Sequence, residues 1–181
     1  DNVYFYELGY RVGIDAIAKY ARIYGFGEPT GIDLEGESSG LVASKQVKLD
    51  IWNEGWRLGD TFNAAIGQGF NLSTPLQLAV MLSCVANGGI KHQPYLVEAF
   101  YNPDGTIYGV PERAEGKHID VSQRTIDYMR DGMSATTEAG GTASYFRTLP
   151  RKVAGKTGTA QVVGIAQGEK YHPQINITIV A

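Results

Sequence analysis

The sequence holds a single cysteine, Cys84, so no disulfide can form within it. Set in the apolar run Leu82-Ser-Cys-Val85, it reads as a small buried hydrophobe. Histidine is nearly as scarce. His92, His118 and His172 are scattered without metal-ligand spacing, and no metal or other cofactor is expected. No run of 18 apolar residues exists, so no segment here spans a membrane. Charge of neither sign dominates: 16 Lys and Arg against 19 Asp and Glu leave a net charge of −3. That balance removes any global electrostatic case for nucleic acid as a partner. Internal repeats and low-complexity tracts are missing too.

What is present is 181 residues, 43% hydrophobic and 19% charged, enough for one globular domain with a core. The chain starts Asp1-Asn-Val-Tyr-Phe5, already inside an apolar pattern, and stops in the alternating stretch Ile175–Ala181. Both features predict a piece of a larger protein.

The spacing of apolar residues predicts a helix over 2–12, an interruption at Gly13, and a second helix carrying Ile14, Ile17, Ala18, Ala21 and Ile23, with Gly25 just past its end. A glycine-rich connection follows, with a short strand or extended segment at Gly31–Leu34. Ser44 is placed to cap a brief helix over 45–51. Trp52 and Trp56 flank a loop. Ser73-Thr-Pro-Leu-Gln77 is the strongest helix start in the chain: Thr74 as N-cap, Pro75 at the first helical position and Gln77 as the capping-box partner. That helix runs to Asn87 and stops at Gly88-Gly89. Pro94–Tyr101, the turn Asn102-Pro-Asp-Gly105 and Thr106–Val110 predict a surface hairpin. Asp120-Val-Ser-Gln123 resembles a second capping box, opening a helix to about Glu138. Helices first and strands late point to an α+β fold with an antiparallel sheet.

The stretch richest in chemistry is Val153-Ala-Gly-Lys-Thr-Gly-Thr-Ala-Gln161. Gly155 and Gly158 remove side chains where another backbone must come close. Lys156 supplies a positive charge, and Thr157 and Thr159 supply hydroxyls. A strand so equipped can lie beside an extended peptide and grip its carboxylate. The residues alone leave open an ordinary edge strand with a solvated lysine. A phosphate-binding loop fits poorly. Its G-x-x-x-x-G-K-[ST] pattern needs glycine five positions before Gly155, where Pro150 stands.

Lys156-Thr-Gly-Thr-Ala-Gln161 resembles the K-T-G box of the penicillin-recognising serine transferases and hydrolases. Around it, Gly67-Gln-Gly69, Ser73-Thr-Pro-Leu-Gln-Leu-Ala79 and Ala86-Asn-Gly-Gly89 resemble the linker and helix of class B penicillin-binding proteins. Gly140-Gly-Thr-Ala143 resembles the loop before their K-T-G strand. Tyr4-Phe-Tyr6 and Gly31-Ile-Asp-Leu34 look most like the elongation-type, penicillin-binding protein 2 branch. The likeness covers nearly the whole chain and implies a partial transpeptidase domain over 1–181: an antiparallel sheet with helices on both sides, similar to serine β-lactamases.

The resemblance carries site roles with it. Asp1-Asn2 looks like the end of the S-x-N box, its serine just upstream, which puts Asn2 in the cleft; the residue alone fits a helix N-cap equally well. Lys156 is then a catalytic residue supporting the proton relay. The backbone N–H of Thr159 is an oxyanion donor, and Thr157, Gly158 and Thr159 bind substrate. The S-x-x-K box is absent: no serine here has lysine three residues on, so the nucleophile lies upstream and this chain alone is expected to be inactive. The interval between Gln161 and the final strand is shorter than the family's, which predicts residues missing between Tyr171 and His172.

The implied reaction is peptidoglycan D,D-transpeptidation through an acyl-serine, with stem peptides as substrates and β-lactams as inhibitors. The same wall would serve a D,D-carboxypeptidase or β-lactamase-type hydrolase, or a non-catalytic sensor or scaffold. The implied setting is an extracytoplasmic domain on a single N-terminal membrane anchor outside this chain. Its implied partners are a polymerase and elongasome scaffold proteins.

Overall fold

The structure is a computed structural model and describes residues 1–161 and 174–180. The chain folds as two compact units, Asp1–Asp120 and Val121–Ala181. The junction of Tyr171 with His172 lies outside the described residues.

The first unit opens with α1 (Asn2–Val12) and α2 (Ile14–Ile23), broken at Gly13 as the periodicity predicts. Then come α3 (Lys45–Trp52), α4 (Leu58–Ala65) and α5 (Pro75–Ala86). Helix α1 packs on α4 closely enough that a Cβ on buried Gly9 would run into the Ala65 side chain. The core there is Ile14, Ala43 and Ala64, with Ile17, Trp56 and Phe70 packed against it. Both tryptophans meet Phe70, with ring centroids 4.5 Å away for Trp52 and 6.2 Å for Trp56.

Helix α5 starts as its sequence dictates. Thr74 Oγ1 accepts from the Gln77 N–H at 3.1 Å, and Gln77 Oε1 accepts from the Thr74 N–H at 2.9 Å. Gln77 does more than cap. It is 1% exposed, and its amide donates at 2.8 Å to both Glu28 O and Ser39 O, bolting α5 to the glycine-rich connection. Leu82, Cys84 and Val85 complete the buried face; burial pushes the Cys84 thiol pKa up and leaves it an inert packing group.

Helix α4 is absent from the sequence reading. Its start rests on the Asp60 carboxylate, which accepts from the Arg57 N–H at 2.7 Å and from Lys48 Nζ at 2.8 Å. Lys48 is 4% exposed and also faces Glu54 at 3.5 Å. Burial alone would raise the Asp60 carboxyl. The Lys48 hydrogen bond, the Arg57 N–H and both positive charges outweigh it and hold the pKa below its ordinary value.

Four short strands complete this unit. β1 (Ile90–Lys91) pairs antiparallel with β4 (Lys117–His118), and β2 (Phe100–Tyr101) with β3 (Ile107–Gly109). The hairpin turn falls where Pro103 and Gly105 predict it, with Gly105 N–H donating to Asn102 O at 2.9 Å. Gly31–Leu34, expected to be extended, is instead a bend. The Leu34 N–H closes back on Ile32 O at 2.7 Å, and Asp33 accepts from the N–H groups of Leu96 at 2.8 Å and Val97 at 3.2 Å. Those two N–H bonds hold the Asp33 carboxyl below its usual range.

The second unit begins with α6 (Gln123–Thr137). Its cap is Ser122, whose Oγ accepts from the Thr125 N–H at 3.2 Å, two residues on from the Asp120 expected. A 3₁₀ turn (Ser144–Thr148) leads to β5 (Gly155–Gln161), which pairs antiparallel with β6 (Gln174–Val180) in unbroken register, Lys156 opposite Ile179 and Thr157 opposite Thr178. The α+β class and antiparallel pairing are as expected. Among the described residues the strands form three two-stranded sheets.

Candidate functional site

The lysine-glycine stretch is β5, and it is organised by what holds it from α6. Thr137, 5% exposed near the end of that helix, donates from Oγ1 to Val153 O at 2.6 Å, fixing the backbone that leads into the strand. Helix α6 packs against β5, where Gly155 is buried, Lys156 exposed and Thr157 half-buried, the alternation a strand imposes. One edge of β5 is taken by β6; its other edge carries no strand among the described residues. An open edge next to a glycine is what an extended peptide needs in order to add to a sheet.

Lys156 forms no ion pair among the described residues. Its Nζ donates to the Thr157 carbonyl oxygen, its own neighbour. Among the described residues no carboxylate balances this ammonium, which leaves it available to an anion. Thr157 Oγ1 lies 3.2 Å from Thr142 Oγ1, in the Gly140-Gly-Thr-Ala143 loop.

That loop is pinned on both sides of Thr142. Gly141 N–H donates to Glu138 O at 2.9 Å, and Ala143 N–H donates to Thr136 O at 2.9 Å. Gly141 sits so tightly on the end of α6 that a Cβ there would lie 2.6 Å from the Thr136 carbonyl carbon. Beside β5, a pocket of about 250 Å³ is lined by Glu138, Phe146, Arg147, Arg151 and Lys152 among others. Lys156 is not on it: Arg147, Arg151 and Lys152 line the pocket, and Lys156 stands on the strand.

Asn2 belongs to the first unit. The cap of α1 is Asp1, which accepts from the Val3 N–H at 2.9 Å, so Asn2 is not spent on capping; it is exposed and makes no side-chain hydrogen bond among the described residues. The structure thus brings Lys156, Thr157, Gly158 and Thr159 together on β5 and sets Asn2 at the start of α1 in the other unit. A second pocket, about 160 Å³ beside Glu28, Lys91 and Lys117, contains none of the expected site residues. Sequence reasoning missed the contributions of Thr137 and Thr142; a hydroxyl at a helix end and another inside a loop carry no local signal of contacts 16 and 15 residues further on.

The chain matches the penicillin binding protein transpeptidase domain over residues 1–181. It is 37% identical over 173 residues to the peptidoglycan D,D-transpeptidase MrdA of Acinetobacter baumannii, covering 94% of this chain and 25% of that protein. Among solved structures, it resembles PBP2 of Helicobacter pylori in its complex with MreC, with a TM-score of 0.77 and 34% identity over 89% of this chain and 29% of that one. It also resembles PBP2 of Pseudomonas aeruginosa in complex with WCK 5153, with a TM-score of 0.78 and 33% identity over 89% of this chain and 36% of that one. The chain spans about a quarter of the length of the curated relatives it matches. It belongs to the penicillin-binding protein transpeptidase domain family.

Proposed function

We propose that this chain is the K-T-G portion of a peptidoglycan D,D-transpeptidase that works through an acyl-serine and is inhibited by β-lactams. The observation that carries the reading is β5 itself: among the described residues, an exposed ammonium without a counter-charge, on a strand paired along one edge only, with glycines on either side of Lys156-Thr157.

In this reading the serine nucleophile comes from a part of the protein outside this chain. Its hydroxyl oxygen attacks the carbonyl of a D-Ala-D-Ala stem peptide, and the tetrahedral intermediate collapses with loss of D-Ala. The amine of a second stem peptide then takes the acyl group and releases the serine. Lys156 raises the positive potential at the peptide terminus and supports the proton relay. The Thr157 and Thr159 hydroxyls bind the terminal carboxylate, Gly158 lets the peptide backbone lie against the strand, and Asn2 hydrogen-bonds the substrate backbone. The Thr159 N–H faces the developing oxyanion; one such donor contributes about 3 kcal/mol to lowering the barrier.

The relatives extend the proposal to partners. PBP2 of Helicobacter pylori forms a complex with MreC. A similar structure belongs to a peptidoglycan synthase complex that coordinates polymerization and crosslinking. We place this protein in the same kind of assembly, with a scaffold and a polymerase, as an extracytoplasmic domain on an N-terminal anchor.

The test is acylation of the intact protein by a fluorescent penicillin. Lys156→Ala is expected to abolish labelling, and labelling at the unmodified rate overturns the reading. Product analysis with and without an amine acceptor separates transpeptidation from hydrolysis by a D,D-carboxypeptidase or β-lactamase.

A further inference from the structure

We infer that Thr142 is a positioning residue that sets the hydrogen of the Thr157 hydroxyl for carboxylate recognition. The inference rests on the reading of β5 as a peptide-binding strand. It goes further by assigning a role to a loop residue that does not itself touch the ligand.

A threonine hydroxyl has one hydrogen to donate and two lone pairs to accept with. Thr142 Oγ1 and Thr157 Oγ1 are 3.2 Å apart, so one of the two donates to the other. Were Thr157 the donor, its only hydrogen would point at the loop, and a carboxylate would meet a lone pair. With Thr142 as the donor, a lone pair of Thr157 is occupied and its hydrogen is left for the ligand. An anion beside Thr157 selects that second arrangement, because a hydrogen bond to a charged acceptor is stronger than one between neutral hydroxyls. The two hydroxyls then form a short chain, Thr142 to Thr157 to carboxylate, in which each bond polarises the next.

The loop is built to hold this geometry. Thr142 sits between two backbone bonds, Gly141 N–H to Glu138 O and Ala143 N–H to Thr136 O, and Ala143 beside it is only 7% exposed. The same helix end holds the approach to β5 through Thr137 and Val153 O. Donor and acceptor are thus tied to one rigid element, so little ordering is needed when a ligand arrives.

The experiment uses the intact protein and two probes: a penicillin bearing its free carboxylate, and the methyl ester of the same penicillin. Thr142→Val keeps the branched shape and removes the hydroxyl. It removes the donor that holds the Thr157 hydroxyl and polarises its bond to the carboxylate, and is expected to lower the acylation rate constant for the acid by up to roughly ten-fold and to leave the ester rate within about two-fold. Thr142→Ser is expected to restore the acid rate. Thr142→Ala gives the same readout if Thr142→Val does not fold. Equal losses with acid and ester would make Thr142 a structural support and overturn the inference, as would unchanged rates with both. Failure of the unmodified protein to react with either probe would instead overturn the transpeptidase reading itself.

Discussion

Two neighbouring glycines in the loop before β5 should respond to the same substitution to different degrees. At Gly141 a Cβ would lie 2.6 Å from the Thr136 carbonyl carbon, with the Thr136 and Ala135 carbonyl oxygens nearer still. Carbon atoms pack at about 3.5 Å, so the loop must retreat by roughly 1 Å. Two bonds now at 2.9 Å, from Gly141 N–H to Glu138 O and from Ala143 N–H to Thr136 O, would stretch past hydrogen-bonding range. Two lost bonds of about 1 kcal/mol each, with residual overpacking, put Gly141→Ala at about 3 kcal/mol. Gly140 is different. Its φ is 84° and nothing lies within 4 Å of a Cβ there, so Gly140→Ala meets only the backbone penalty of about 1 kcal/mol. For a domain of this size these translate to roughly 6–12 °C and 2–4 °C in Tm. Thermal denaturation of the intact protein reads both, and penicillin labelling should fall further for Gly141→Ala because Thr142 moves with it. Equal shifts, or a larger one for Gly140→Ala, would refute the steric argument.

Lys48→Met should destabilise the protein by about 3 kcal/mol, since it leaves Asp60 partly buried without its ammonium; a urea midpoint within error of the unmodified protein contradicts this. The same pair sets a pH dependence. The Asp60 pKa is lowered in the folded state, so its contribution is full above the unfolded value of 3.8 and is lost as pH falls through the folded value. Between 3.8 and the folded value, unmodified protein should therefore lose stability with falling pH more steeply than Asp60→Asn, as read by Tm against pH. On β5, Thr159→Ala retains the N–H and should keep part of the acylation activity. Gly158→Val fills the edge where a peptide backbone must lie and should lose nearly all of it. Equal activities in the two variants would contradict that division.

How far the sequence reveals this structure depends on how local each cause is. Helix α5 is legible because its cap, its N1 proline and its stop all sit within the element. The same holds for the break at Gly13 and the turn at Asn102–Gly105. Helix α4 is hidden because Gly59 weakens its pattern and its start depends on Lys48, 12 residues before Asp60. The bend at Gly31–Leu34 is hidden for a similar reason: Asp33 spends its carboxylate on N–H groups 63 and 64 residues away, which overrides an extended-looking Ile-Asp-Leu. At the site, Lys156, Thr157 and the glycines mark this stretch in the sequence as a strand rich in chemistry, while leaving open an ordinary edge strand. That Thr157 has a hydroxyl partner 15 residues earlier follows only from the packing of α6 on β5.

The central claim is that β5 receives the carboxylate end of a peptide. The most direct measurement is a crystal structure of the intact protein acylated by a penicillin. The account predicts the ligand carboxylate about 3 Å from Thr157 Oγ1 and the acyl carbonyl oxygen about 3 Å from the Thr159 nitrogen. A ligand bound with its carboxylate turned away from β5, or attached where Lys156 and Thr157 play no part, would contradict it.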